Sequence, residues 1–210
     1  MSRRIVIAIT IQSVADTPVM PHSLQGHFLI AMPSMEDPRF HQAVIVVLEH
    51  DAKGAMGLII NRRLDDLSFA DLMQQVKTGK NEERDLALAL PELAVHFGGP
   101  MEVGRGFILH SPDVMLAHSK KLLPELALST SVDMLEAMAQ ERGPRQALLA
   151  LGYAGWGAGQ LETEFQDNAW LHAPLDNELI FNIPAELCWE AALASVGISL
   201  SNFSSTSGHA

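Results

Sequence analysis

Residues 43–61 run Ala43-Val44-Ile45-Val46-Val47-Leu48, Glu49-His50-Asp51-Ala52-Lys53-Gly54, Ala55-Met56-Gly57-Leu58-Ile59-Ile60-Asn61. Two apolar runs of strand length flank a polar segment, and that segment ends in a glycine able to take positive φ. This is the chemistry of a β-hairpin with a four-residue loop at 51–54. The runs are continuous rather than alternating, which predicts strands covered on both faces. Phe28 to Met32, Gly106 to Leu109 and Ala147 to Leu151 repeat the pattern. If Asp51 to Gly54 form the loop, Glu49 pairs near Met56. Asn61 then lies about 16 Å further along the ladder, at roughly 3.3 Å per residue. Glu49 and His50 point to opposite faces, so only one of them can face a given pocket.

Helices interrupt the strands. Ser68-Phe69-Ala70-Asp71 and Thr130-Ser131-Val132-Asp133 both carry Ser/Thr-x-x-acid capping signals, and Gly143-Pro144 stops the second helix. A third helix is expected from about Ala158 to Asp167. A fourth is expected from Pro184 to Val196, with Gly197 as its C-terminal punctuation and with Leu187, Cys188 and Ala191 on its buried face. The order of elements lacks the regular alternation of parallel α/β enzymes. It predicts an α+β fold: a mixed, mainly antiparallel sheet or partly closed barrel with about four flanking helices.

With 210 residues, 48% of them hydrophobic, the chain can build one sizeable core, and residues 20–210 read as a single domain. Residues 1–19 read as a loose N-terminal extension whose deletion leaves the melting temperature nearly unchanged. Arg3, Arg4 and the short run Ile5 to Ile11 imitate an export signal but lead to no small-x-small cleavage site. Residues 77–92, charged at first and ending near Pro91, are the one linker-like stretch, and the Ser- and Gly-rich tail from Ser199 reads as mobile. A formal net charge of −11 opposes binding to phosphate backbones and anionic lipid, so neither direct duplex-DNA binding nor membrane association is expected. The single Cys188 cannot form an intramolecular disulfide, which fits a reducing, cytoplasmic setting and a buried thiol.

Leu151-Gly152-Tyr153-Ala154-Gly155-Trp156-Gly157-Ala158-Gly159-Gln160-Leu161 is the least ordinary stretch. Read as a turn between a strand and a helix, its glycines let the backbone approach either a ligand or a neighbouring strand. Tyr153, Trp156, Gln160 and Glu164 are the ligand-binding candidates. Gln160, Glu164 and Asp167 share one helix face, and a solvated polar face would look the same. A ligand site there predicts that Trp156→Ala and Glu164→Gln weaken binding; a merely structural turn makes the tryptophan change a core truncation and the glutamate change silent. Glu49, His50, Gly98, Gly99 and His110 are secondary candidates, each able to serve equally as a strand end that satisfies neighbouring backbone. Nine histidines show no metal-ligand spacing, and no nucleophile elbow, P-loop or dinucleotide fingerprint is present, so no metal or cofactor is assigned.

Six blocks in order resemble the AlgH/YqgE family of bacterial proteins: Gly26 to Pro33, Glu49-His50 with Gly54 to Asn61, Gly98-Gly99-Pro100 with Arg105 to His110, Leu151 to Trp156 with Gly159 to Glu162, Asn168 to Leu171, and Gly208-His209-Ala210. The resemblance spans about residues 24–210. It implies a single α+β domain in a bacterial cytosol, and an association of one member with transcriptional control of alginate synthesis that brings no DNA-binding element. Some relatives carry a cysteine immediately before the Glu-His pair; Leu48 stands there in this chain, so no thiol chemistry comes with the resemblance. Two functions follow as expectations. One is a regulatory protein that binds a small ligand or a protein partner. The alternative is a hydrolase or transferase using His50, His110 or Glu164 as acid or base.

Overall fold

The computed structural model describes residues 23–75 and 93–199. The N-terminal extension, the whole 77–92 connection, and the tail beyond Ser199 with its Gly208-His209-Ala210 block lie outside the described residues.

The hairpin forms as the sequence dictates. Strand β2 (Val44–Asp51) runs antiparallel to β3 (Gly54–Ile59), with Val46 opposite Leu58 and Glu49 opposite Met56. Asp51 pairs with Gly54, so the loop is the two residues Ala52 and Lys53, tighter than the four expected. The Asp51 carboxylate accepts from the Lys53 amide at 2.7 Å, which holds the turn closed. β1 (His27–Ala31) adds to β2, and β10 (Trp170–Pro174) adds to β1, both antiparallel.

A second group of strands comprises β4 (Arg63–Ser68), β5 (Ala94–Phe97), β6 (Met101–His110), β7 (Ser119–Leu123) and β8 (Leu126–Ser129). The long strand β9 (Ala147–Gly157) joins the two groups, giving the order β10-β1-β2-β3-β9-β6-β8-β7, with β4 and β5 as a branch. Along one edge β9 pairs in parallel with β5 at Leu149–Leu151, then antiparallel with β3 from Ala154 to Gly157. The exchange happens at Gly152, whose φ of +73° marks a bulge where four β6 residues, Glu102 to Arg105, stand opposite one residue of β9. Among the described residues the pairing is antiparallel everywhere else and forms one curled, mainly antiparallel sheet, so the chain is α+β.

The doubly apolar runs are buried on both faces. Phe28, Ile30, Val44, Val46 and Leu48 face one core with Leu109 and Ala150, while Leu29, Ala31, Ile45 and Val47 face a second with Ala154 and Trp156. A third core joins Phe69 of α1 (Phe69–Gln75) and Met134, Leu135 and Met138 of α2 (Val132–Ala139) to Ile108 and Leu149. α3 (Gln160–Gln166) inserts Leu161 into the second core, and α4 (Asn177–Phe181) with α5 (Ala185–Ser195) covers the first.

Three local expectations need correction. Residues 152–157 are strand, not turn, and the turn proper is Ala158-Gly159. The helix after Thr130 starts one residue later than its capping signal implied: Ser131 holds the N-cap position and makes no side-chain cap, whereas Ser68 and Asp71 do form the reciprocal box. On α5 the buried face is Cys188, Trp189, Ala192 and Leu193, and Leu187 is exposed, because the Trp189 indole turns inward to donate to the Ala31 carbonyl at 2.8 Å. Cys188 is buried as its pattern required, and burial pushes its thiol up to about 12. Among the described residues no helix is long and apolar enough to cross a membrane.

Candidate functional site

At the β9–α3 corner two tryptophans share one carboxylate. Trp156 lies in β9 and Trp170 opens β10, and both indole N–H groups donate to one oxygen, Oε2 of Glu164, at 2.9 and 2.7 Å. Glu164 Oε1 accepts from the Gln160 amide at 2.9 Å, and the Gln160 oxygen accepts from the Gly157 N–H at 3.0 Å. The i, i+4 spacing of Gln160 and Glu164 on α3 makes this relay possible. Both indoles are buried, so each N–H needs its acceptor.

Above this carboxylate lies a cleft of about 350 Å³. Phe40 stacks on Trp156 with centroids 6.4 Å apart and meets Trp170 edge-on at 5.7 Å. Met35, Asp37 and Arg39 of the β1–β2 connection line the cleft as well, together with Pro100 and Met101. Arg39 and Asp37 grip each other at 2.7 Å, and this hydrogen bond holds the Asp37 carboxyl below the ordinary carboxylate value.

Of the four residues expected to bind ligand, the structure brings Trp156, Gln160 and Glu164 together. Tyr153 stands apart: its ring packs edge-on to Phe107 beside the first core, and its hydroxyl donates to Glu102 at 3.2 Å. Phe40 and Trp170 were missed. Trp170 lies six residues beyond Glu164, in a block whose spacing alone gives no hint of a partner. Trp156 also belongs to the second core, so its truncation destabilises the fold whether or not a ligand binds. The tryptophan variant therefore loses the discriminating power that its reading as a turn residue gave it.

The secondary candidates scatter. Glu49 pairs with Lys120 on the surface at 2.8 Å. His50 turns the other way, into a buried clasp: Leu24 N–H donates to its Nδ1 at 3.0 Å, so its proton sits on Nε2 and points at Glu162, 3.1 Å away. Gly98 and Gly99 cross over the backbone of Gly152 and Tyr153, where a β-carbon on either would collide with main-chain atoms. His110 is fully buried. Its Nδ1–H donates to the Ser111 carbonyl at 2.9 Å, and its Nε2 accepts from Ser129 Oγ at 2.9 Å; Ser119 donates to Ser129 in turn. This serine–histidine pair has the connectivity of a nucleophile and base, but both members are sealed from solvent. Among the described residues no three His, Cys, Asp or Glu gather as a metal centre requires.

Burial holds the His110, His96 and His172 pKa values below the ordinary histidine value of about 6.5. Between the folded and unfolded values the unfolded chain binds more protons, so stability is full above about pH 6.5 and falls as pH drops through that value. Urea melts from pH 7.5 to 5 are expected to show this decline. A flat profile would contradict the burial of neutral imidazoles.

The sequence model of a family described as AlgH-like matches residues 28–201. A UPF0301 protein of Methylococcus capsulatus is 49% identical over 187 residues, covering 89% of this chain and 96% of its own. A UPF0301 protein of Yersinia pseudotuberculosis is 45% identical over 188 residues, 90% of this chain and all of its own. The solution structure of the AlgH protein from Pseudomonas aeruginosa superimposes with a TM-score of 0.71 at 42% identity, over 91% of this chain and 98% of that one. A crystal structure of a Corynebacterium diphtheriae protein, 21% identical, shares the fold with a TM-score of 0.61 over 84% of this chain and 88% of its own.

Proposed function

This chain belongs to the AlgH-like family, and from that premise we propose that it is a regulatory binding protein, holding a small molecule or a partner's side chain in the cleft above Glu164. The observation that carries this reading is the carboxylate fixed by two indoles at the base of an aromatic-lined cleft. A concave, largely apolar site with a few oriented polar groups is the usual form of a small-molecule site. Hydrolase or transferase chemistry has less to rest on. His50 and His110 each have both ring nitrogens engaged, and His110 is buried completely. A cytoplasmic setting belongs to the same reading, supported by the lone buried cysteine. Regulation would run through the bound molecule or partner, since a net charge of −11 opposes direct duplex-DNA contact.

The test is to purify the protein from its own host and identify retained small molecules by mass spectrometry, beside the Met101→Trp variant. Met101 lines the cleft and is 45% exposed, so a larger side chain there fills part of the cleft without entering the core. A molecule retained by the parent and lost by the variant is the expected outcome. Equal retention by both would remove the cleft from consideration.

A further inference from the structure

We infer that the ligand of this cleft is an organic cation: an ammonium or guanidinium group on an apolar stem. The inference rests on the cleft being a binding site, and adds what the site selects.

The cleft sets a carboxylate beside a cluster of aromatic rings, and its indole donors are already used. Both indole N–H groups are spent on Glu164, and so is one of the two N–H groups of the Gln160 amide. Arg39, the cation at the rim, makes three hydrogen bonds to Asp37 from Nε and Nη2. An anion entering here would meet the Glu164 carboxylate and an Arg39 whose charge is already paired with Asp37. A cation is drawn to the same carboxylate. Glu164 enters no ion pair among the described residues, and its three hydrogen bonds leave a lone-pair direction open on Oε1.

The walls suit the same ligand. Phe40, Trp156 and Trp170 pack within 6.4 Å of one another, centroid to centroid. Met35 and Met101 add polarizable thioethers. Rings around a carboxylate are how proteins recognise alkylated ammonium groups, because a weakly hydrated cation gains from ring quadrupoles and from the charge together. Phe40 already accepts a cation on one side: the Arg39 guanidinium carbon lies 5.6 Å from its centroid. The protein's net charge of −11 steers cations toward it as well.

Three isosteres separate charge from shape: choline, its neutral analogue 3,3-dimethylbutanol, and the anion 3,3-dimethylbutyrate. The readout is the indole N–H resonances, of which there are three. Trp156 and Trp170 report on the cleft, while Trp189, which lies in the first core and donates to the Ala31 carbonyl, is an internal control. Choline is expected to shift the first two saturably and leave the third in place, and to bind about tenfold more tightly than the alcohol. Glu164→Gln retains an oxygen for the indoles but loses the charge, and should weaken choline about tenfold with the resonances still dispersed. Phe40→Leu, which keeps an apolar side chain and removes a ring, should weaken choline relative to the alcohol. An amide-capped trimethyllysine distinguishes the source: tighter binding than choline indicates a partner's side chain, weaker binding a free molecule, and either supports the inference.

Equal binding of choline and the alcohol, or preference for the butyrate, would overturn the cation inference while leaving an occupied cleft. Binding by none of the three would overturn it too; Met101→Trp in the retention experiment then decides separately whether the cleft binds anything.

Discussion

Glu164→Leu is expected to lower the unfolding free energy by roughly 2 to 6 kcal/mol, at about 1 to 3 kcal/mol for each buried indole N–H left without an acceptor. The two donors belong to Trp156 and Trp170, which reach Oε2 from different strands, so this one oxygen ties β9 to the start of β10. Leucine fills comparable space and offers neither indole a partner. Glu164→Gln presents an amide oxygen in the same place and should keep most of the stability. Urea melts of the two variants side by side make the comparison. A leucine variant within about 0.5 kcal/mol of the parent would mean that water replaces the carboxylate freely, and the fixed base of the cleft would no longer be a reasonable premise.

The second large effect is expected at Gly54→Ala, with a loss of about 3 kcal/mol or more from overpacking and backbone strain combined. Gly54 has a φ of +137°, which side chains rarely tolerate, and a β-carbon there would land on the carbonyl oxygen of Trp156. Its ladder partner in β9 is Gly157, so two glycines face each other where β3 meets β9. Gly104→Ala is the control. A β-carbon at Gly104 meets nothing within 4 Å, and the change should stay within about 0.5 kcal/mol. If the two alanine variants melt together, the close approach of β3 to β9 is softer than its geometry indicates.

What could be read from the residues was what burial writes into local pattern. β1, β2, β3 and the first half of β9 are covered on both faces, so each is a continuous apolar run. β4 is mostly exposed and β7 has its two lysines outward; neither offers a run, and both escaped. Gly152 to Gly157 read as a turn because glycine is a poor strand former in isolation. Tertiary contact overrides that preference. Gly155 lies where a β-carbon would sit 2.6 Å from the Met101 sulfur, and Gly152 makes the bulge at which β9 changes neighbours. Three residues of the candidate site were legible: Trp156 in the glycine-rich stretch, and Gln160 and Glu164, which are four residues apart on one helix. Phe40 comes from the β1–β2 connection and Trp170 from β10, and no periodicity links either of them to α3. Glu49 and His50 diverge as strand alternation demands, one to Lys120 and the other to Leu24 and Glu162.

The position of β9 between β3 and β6 has a consequence during synthesis. β3 ends at Ile59 and β6 at His110, but the strand that pairs with both does not begin until Ala147. While the chain emerges from the ribosome, the inner edges of both earlier strands carry unpaired backbone groups and apolar side chains, the features that template intermolecular pairing. The two groups of strands cannot join into one sheet until residues 147–157 are available to slot between them. Chains stalled before Ala147 should therefore aggregate or recruit chaperones, and the hairpin at 44–59, which forms early from local contacts, must wait through roughly a hundred residues of synthesis for its neighbour.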